Sequence, residues 1–211
     1  NGNYAVTRQY FNKCYITGNV DFIYGAGTSV FEDCDIVARY TEYKSDGCYT
    51  AGRTYASTPY GYVFNNCRFL AEEGVADGAY RMARPWGADD STTFMNCYLG
   101  RAISLETSYG DMSGNLAENA RFAEYGSYGP GYTVNNKRPY LTSAQAAKFK
   151  TDTVMGDYDY SARTATLYGT QQEKPKTDIT VVDKAEVVKN VAVDENAVIK
   201  NAAGETVSPG E

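Results

Sequence analysis

Phe11-Asn12-Lys13-Cys14-Tyr15-Ile16, Phe31-Glu32-Asp33-Cys34-Asp35-Ile36, Phe64-Asn65-Asn66-Cys67-Arg68-Phe69 and Phe94-Met95-Asn96-Cys97-Tyr98-Leu99 repeat one pattern. Each has Phe, two variable positions, Cys, one variable position and a large apolar residue. The Cys and the apolar residue two later share one face of a strand, because strand side chains alternate with period two. The Phe, three before the Cys, has the opposite parity, so a turn or bulge separates it from that strand. The Cys-to-Cys steps are 20, 33 and 30 residues. A strand recurring about every 20 residues, with longer steps absorbing loops, is the mark of a solenoid with stacked coils. The expected fold is therefore all-β, a right-handed parallel β-helix. A β-sandwich whose strands happen to carry Cys is the alternative, and four matched hexamers favour the solenoid.

The same repeat reads the cysteines. Five is an odd number, so a complete disulfide framework is not assumed. Cys14, Cys34, Cys67 and Cys97 hold equivalent positions and are expected to form a buried ladder of small apolar side chains. Metal-type Cys-x-x-Cys spacing is absent. Cys48, outside the repeat, is either buried or bonded to a stacked neighbour.

Composition agrees with strands and turns. Tyr and Gly each number 20 in 211 residues, against six Leu, whereas helical bundles lean on Leu, Ala and Glu. The absence of histidine excludes Ser-His-Asp and Cys-His nucleophiles, His-ligated zinc and imidazole acid/base chemistry. A net charge of −6 without a dense basic run argues against nucleic acid as a partner. No apolar run approaches the roughly 18 residues of a membrane span.

Past the last hexamer, Gly129-Pro130-Gly131 marks a turn. Thr142-Ser143-Ala144-Gln145 has capping-box spacing and opens a short helix at Ala146-Ala147-Lys148-Phe149, expected to pack outside the solenoid. All 29 aromatics lie at or before Tyr168. The division is thus a β-helix portion over residues 1–168, then a linker at Gln171–Lys176 and a tail to residue 211. That tail is either the start of a small β module or a solvated extension.

Three segments carry candidate chemistry. In Gly18-Asn19-Val20-Asp21-Phe22-Ile23-Tyr24-Gly25, a lone carboxylate sits among Val, Phe and Ile, neighbours a solvated turn Asp rarely has. Arg84-Pro85-Trp86-Gly87 sets a planar fork able to grip a carboxylate beside a flat ring on which a sugar can stack. Structural readings stand beside both: a structural Asp, and a Trp covering the end of the core. Ala51-Gly52-Arg53-Thr54, leading to Tyr60-Gly61-Tyr62-Val63-Phe64, reads as scaffold.

Taken in order, these segments resemble the pectin methylesterases, a carboxylesterase family built on a right-handed parallel β-helix. Arg8-Gln9-Tyr10-Phe11, Cys14-Tyr15-Ile16 and Gly18 to Gly25 resemble the Gly-x-Val-Asp-Phe-Ile-Phe-Gly block and its lead-in. Met82-Ala83-Arg84-Pro85-Trp86-Gly87 is similar to the Leu-Gly-Arg-Pro-Trp block. Ala120 to Gly126 with Gly129 to Gly131 resembles the closing segment, and Thr142 to Gly156 the terminal helix. The resemblance covers about residues 4 to 160. It implies that Asp21 is a nucleophile toward galacturonate methyl esters and that Arg84 holds it ionised and oriented. It further implies that Trp86 stacks on a pyranose ring and that Val20, Tyr24 and, more weakly, Met112 line the groove. Tyr24 replaces the usual Phe, and Ser108 to Met112 stand where the family has a Gly-Trp pair. No metal or organic cofactor is implied. The implied partner is methylated homogalacturonan, met by a monomer that is secreted or attached to the cell surface.

One departure sets a further expectation. The family's general acid/base, an Asp in a Gln-Asp-Thr block, precedes the segment matching Arg8-Gln9. Asn1-Gly2-Asn3-Tyr4 does not contain it, nor a second Gln-bearing block that stabilises the oxyanion. The chain is expected to be the C-terminal part of a larger enzyme and nearly inactive as it stands. Two other classes bear comparison: a calcium-dependent pectate lyase on the same fold, and a non-catalytic pectin-binding or adhesin module. The lyase would need clustered carboxylates, which Asp33, Asp35, Asp89 and Asp90 do not convincingly supply.

Overall fold

Among the described residues, twelve short strands follow one another around three walls, and each of the first three coils contributes one strand to each wall. The computed structural model describes residues 7–43, 46–135 and 137–160. The segment before Thr7, the end of the β-helix portion from residue 161 and the whole of the expected tail lie outside the described residues. The first coil carries β1 (Arg8–Asn12), β2 (Tyr15–Gly18) and β3 (Ile23–Gly25). The second carries β4 (Thr28–Glu32), β5 (Asp35–Ala38) and β6 (Gly47–Gly52). The third carries β7 (Tyr62–Asn65), β8 (Arg68–Ala71) and β9 (Tyr80–Ala83), and a fourth begins with β10 (Ser91–Met95) and β11 (Tyr98–Leu99). β12 (Arg121–Tyr125) closes the stack. The walls are the sheets β1-β4-β7-β10-β12, β2-β5-β8-β11 and β3-β6-β9. Every strand pairing is parallel. This is a right-handed parallel β-helix, the hand that crossovers between parallel strands almost always take.

The repeated hexamer is the corner between the first and second walls. Its residue before the Cys is left-handed in every coil, with φ 54° at Lys13, Asp33, Asn66 and Asn96. Three of these four are Asn or Asp, whose short polar side chains tolerate that region best. This corner explains the parity break between Phe and Cys. It also puts like over like: Phe11, Phe31, Phe64 and Phe94 are in register and stack with centroids 4.7, 4.5 and 5.3 Å apart. Those spacings follow the 4.7–4.9 Å separation of neighbouring strands. Ile36, Phe69 and Leu99 from the second wall and Tyr49 and Met82 from the third complete the core.

The cysteine ladder is present, with Cys34, Cys67 and Cys97 buried and Cys14 half-buried in the first coil. All five cysteines, Cys48 included, are free thiols. They do more than fill space: Cys67 Sγ lies 3.4 Å from the Phe31 carbonyl and Cys97 Sγ 3.4 Å from that of Phe64. A weak S–H donor thus satisfies carbonyls at a corner where the ladder is interrupted.

Val30, Val63 and Met95 point out of the first wall and are nonetheless buried. The closing helical segment covers them. Thr142 caps α1 (Ser143–Ala146) with a full capping box, its hydroxyl accepting from the Gln145 N–H while the Gln145 side chain accepts from the Thr142 N–H. The single helix expected here is in fact α1, a 3₁₀ turn at Ala147–Phe149, and α2 (Thr151–Met155). The break lies at Lys150, in extended conformation, and lets Ala146, Val154 and Met155 all face the wall.

Candidate active site

Between β2 and β3 the chain turns sharply, and Asp21 sits in that bend with φ 54°. Its N–H donates to the Cys48 carbonyl of the next coil (2.8 Å), which fixes the bend against β6. Gly18 makes the bend possible, since a Cβ there would fall 2.3 Å from Phe22 Cβ. Phe22 packs inward against the Tyr49 ring at 5.9 Å, leaving the Asp21 side chain at the outer surface of the third wall, 19% exposed.

Arg84 follows the end of β9, its N–H donating to the Thr50 carbonyl (3.0 Å). Its Nε donates to Asp21 Oδ1 at 2.8 Å and its Nη2 to Oδ2 at 2.5 Å. Residues 63 apart in sequence therefore meet in a two-pronged, charge-assisted pair across one intervening strand. The hydrogen bonds to Asp21 raise the Arg84 pKa more than its burial lowers it, so the guanidinium stays charged. Each carboxylate oxygen keeps a lone-pair site free. What results is a carboxylate of fixed orientation on an open shelf. Cys48 is no rival nucleophile, because burial pushes its thiol up to about 12.

The shelf is flanked by aromatic surface. Trp86 and Tyr24 are 39% and 69% exposed, with ring centroids 6.2 Å apart, edge to face. Val20 lies half-buried in the Asp21 bend. The loop after β11 runs on as a further rung of the third wall, pairing Ile103 with Tyr80 and Tyr109 with Ala83. It ends in a tight turn in which Met112 and Asn115 exchange backbone hydrogen bonds of 3.0 and 2.8 Å. The Asn115 side chain donates to the carbonyls of Pro85 and Trp86 (3.2 and 3.1 Å), tying the half-buried Met112 turn to the Trp86 backbone. Asp21, Arg84, Trp86, Tyr24 and the Met112 turn thus belong to one face of successive coils.

Sequence reasoning missed three residues here. Arg53, read as scaffold, is exposed with its guanidinium carbon 5.2 Å from the centre of the Trp86 ring. Asn115 carried no signal at all. Asp90, weighed only as a metal ligand, is turned inward and fully buried, accepting from the Gly52 N–H (3.2 Å). Among the described residues, no group of three or more His, Cys, Asp and Glu is placed to hold a metal ion. A cavity of about 650 Å³ lies on another face, between the first wall and the helical segment, lined by residues that include Glu32, Phe149 and Lys150. It includes neither Asp21 nor Arg84.

Behind the shelf, Glu124 and Arg138 form a buried two-pronged pair (2.8 and 2.7 Å), joined by the Tyr109 hydroxyl (2.8 Å). Arg138 Nη2 also lies 3.3 Å from Met82 Sδ. This network links the closing strand to the rung that leads into Met112 and to β9, from which Arg84 emerges.

Comparison with known proteins adds an independent line. The family model described as Pectinesterase matches residues 3–158. Pectinesterase A of Dickeya dadantii is 38% identical over 166 residues, covering 66% of this chain and 45% of that protein. Among solved structures, the pectin methylesterase from Yersinia enterocolitica superposes with a TM-score of 0.66 at 30% identity, covering 72% of this chain and 54% of that one. A pectin methylesterase in complex with a hexasaccharide gives 0.63 at 32% identity, covering 76% and 53%. The chain spans about half the length of these three relatives.

Proposed function

The chain belongs to the pectinesterase family, and from that premise we propose that its site hydrolyses methyl esters of galacturonate units in pectin, releasing methanol. The observation that carries the reading is the Asp21–Arg84 pair on an aromatic-flanked shelf. A carboxylate that attacks an acyl carbon must stay ionised, be held in one orientation and keep a free lone pair. The bidentate guanidinium fixes the orientation and leaves lone pairs free on both oxygens. An Asp21 oxygen adds to the ester carbonyl carbon, methanol departs from the tetrahedral intermediate, and water hydrolyses the resulting acyl-enzyme. The proton that methanol takes with it comes from this water, and the hydroxide left behind cleaves the acyl-enzyme and regenerates the Asp21 carboxylate. Trp86 stacks on a pyranose ring, while Val20, Tyr24 and Met112 border the chain of sugars. Action on cell-wall polymer places the protein outside the cell, secreted or at its surface.

The test is Asp21→Asn in the protein as its cell makes it, assayed for methanol release from highly methylated pectin and for pectin retention in an affinity gel. Methanol release should fall by about 10³ or more, the scale of losing a covalent nucleophile, with retention preserved. Methanol release that survives in Asp21→Asn would remove Asp21 from the chemistry. Retention by a wild-type protein that releases no methanol would mark a binding module instead.

A further inference from the structure

Arg53 stands just beyond the end of β6, exposed to solvent, yet its position is built. Its N–H donates to the Gly25 carbonyl (2.7 Å), and the Gly87 N–H donates to that of Gly52 (3.0 Å). A Cβ on Gly87 would lie 2.8 Å from Arg53 Cγ and 3.1 Å from its Cα, so a glycine there lets the Arg stem pack this closely. On either side, the Gly52 N–H and the Thr54 hydroxyl are anchored on buried Asp90 (3.2 and 3.5 Å). The guanidinium is thereby held over the Trp86 ring, a cation–π arrangement that, among the described residues, leaves its N–H fork unused. Among the described residues, no carboxylate pairs with it.

A positive fork fixed on the sugar-stacking ring has an obvious complement in this polymer. Homogalacturonan offers neutral methyl esters and free carboxylates on otherwise identical units. Arg84 is already committed to Asp21, and Arg53 lies further along the wall. The Asp21 N–H is bonded to the Cys48 carbonyl, and Arg53 is five residues past Cys48, within about 17 Å at 3.2–3.4 Å per residue. That is a span of a few pyranose units. The geometry points to Arg53 as a specificity-determining residue that binds the free carboxylate of a de-esterified galacturonate unit near the one whose ester reacts. This inference rests on the methylesterase reading of the site.

The test measures binding rather than turnover, using the protein as its cell makes it with Asp21→Asn throughout, so that the freed Arg84 contributes equally in every variant. Isothermal titration compares hexagalacturonate with its fully methylated counterpart. Arg53→Gln should lower the preference for hexagalacturonate about fivefold, the scale of a partly exposed two-pronged ion pair. Arg53→Lys, which keeps the charge without the planar fork, should fall between. Raising the salt concentration should narrow the gap between wild-type Arg53 and Arg53→Gln. An unchanged preference overturns the proposal, as does failure to bind either oligosaccharide. So does an equal loss on both, which would make Arg53 only a prop for Trp86. Methanol release with Asp21 intact is scored separately: its absence refutes the methylesterase reading, while the binding ratio still decides the role of Arg53.

Discussion

Replacing Asp90 with Asn should flatten one pH response of folding. Asp90 is fully buried, and among the described residues no cation pairs with it. Its carboxylate accepts from the Gly52 N–H (3.2 Å) and from the Thr92 and Thr54 hydroxyls (3.4 and 3.5 Å). These bonds favour the ionised form, but the loss of hydration outweighs them and raises the pKa from 3.8 to about 7. The sign follows from proton linkage. Between those two values the folded state holds a proton that the unfolded state has released, so stability falls as pH rises. The contribution is full below about pH 4, is lost on the way to about pH 7, and stays level above. Three pH units at 1.36 kcal/mol each set its scale at about 4 kcal/mol, a large share of the 5–15 kcal/mol that holds a typical domain. The amide introduced by Asp90→Asn keeps an acceptor for the Gly52 N–H and cannot titrate. Urea unfolding, followed through Trp86 fluorescence and circular dichroism at steps from pH 4 to 8, gives the wild-type stability minus that of Asp90→Asn. That difference should fall by up to about 4 kcal/mol and then level off. A flat or rising difference between pH 4 and 7 would show that Asp90 is ionised in the folded protein, refuting the desolvation argument.

Three further expectations test the scaffold. Glu124→Gln strands the Arg138 guanidinium, whose side chain is 1% exposed, without a counter-charge. It should cost about 3–5 kcal/mol, seen as a lower urea midpoint at unchanged slope. Phe64→Ala removes the middle of the ring stack, 4.5 Å from Phe31 and 5.3 Å from Phe94. It should cost about 3–5 kcal/mol, measured by the same titration. Because all five cysteines are free, dithiothreitol should leave Tm unchanged, and a drop on reduction would reveal a disulfide.

The repeat was legible in the sequence because a coil's corner is a local structure. Phe, a left-handed residue, Cys and an inward apolar residue must recur wherever the chain makes the same turn, so four hexamers declared the solenoid. The capping box at Thr142 was legible for the same reason, since its partners are three residues apart. The break at Lys150 was not, because the outer face of the first wall decides which side chains of the helical segment can be buried. Residue type and neighbourhood singled out Asp21 and Arg84, and the ordered blocks gave their family. Their hydrogen bonds depend on β6 standing between β3 and β9, which depends on how coils of unequal length stack. Arg53 and Asn115 acquire meaning only through that stacking, one by lying over Trp86 and the other by reaching the Pro85 and Trp86 carbonyls. Asp90 is the clearest case: the sequence offered it only as a metal ligand, and burial behind Gly52 makes it a titrating strut. Sequence determines what each coil is made of, through interactions a few residues long. Tertiary structure decides which polar groups lose water and which meet across coils, because those outcomes belong to partners that only the completed stack brings together.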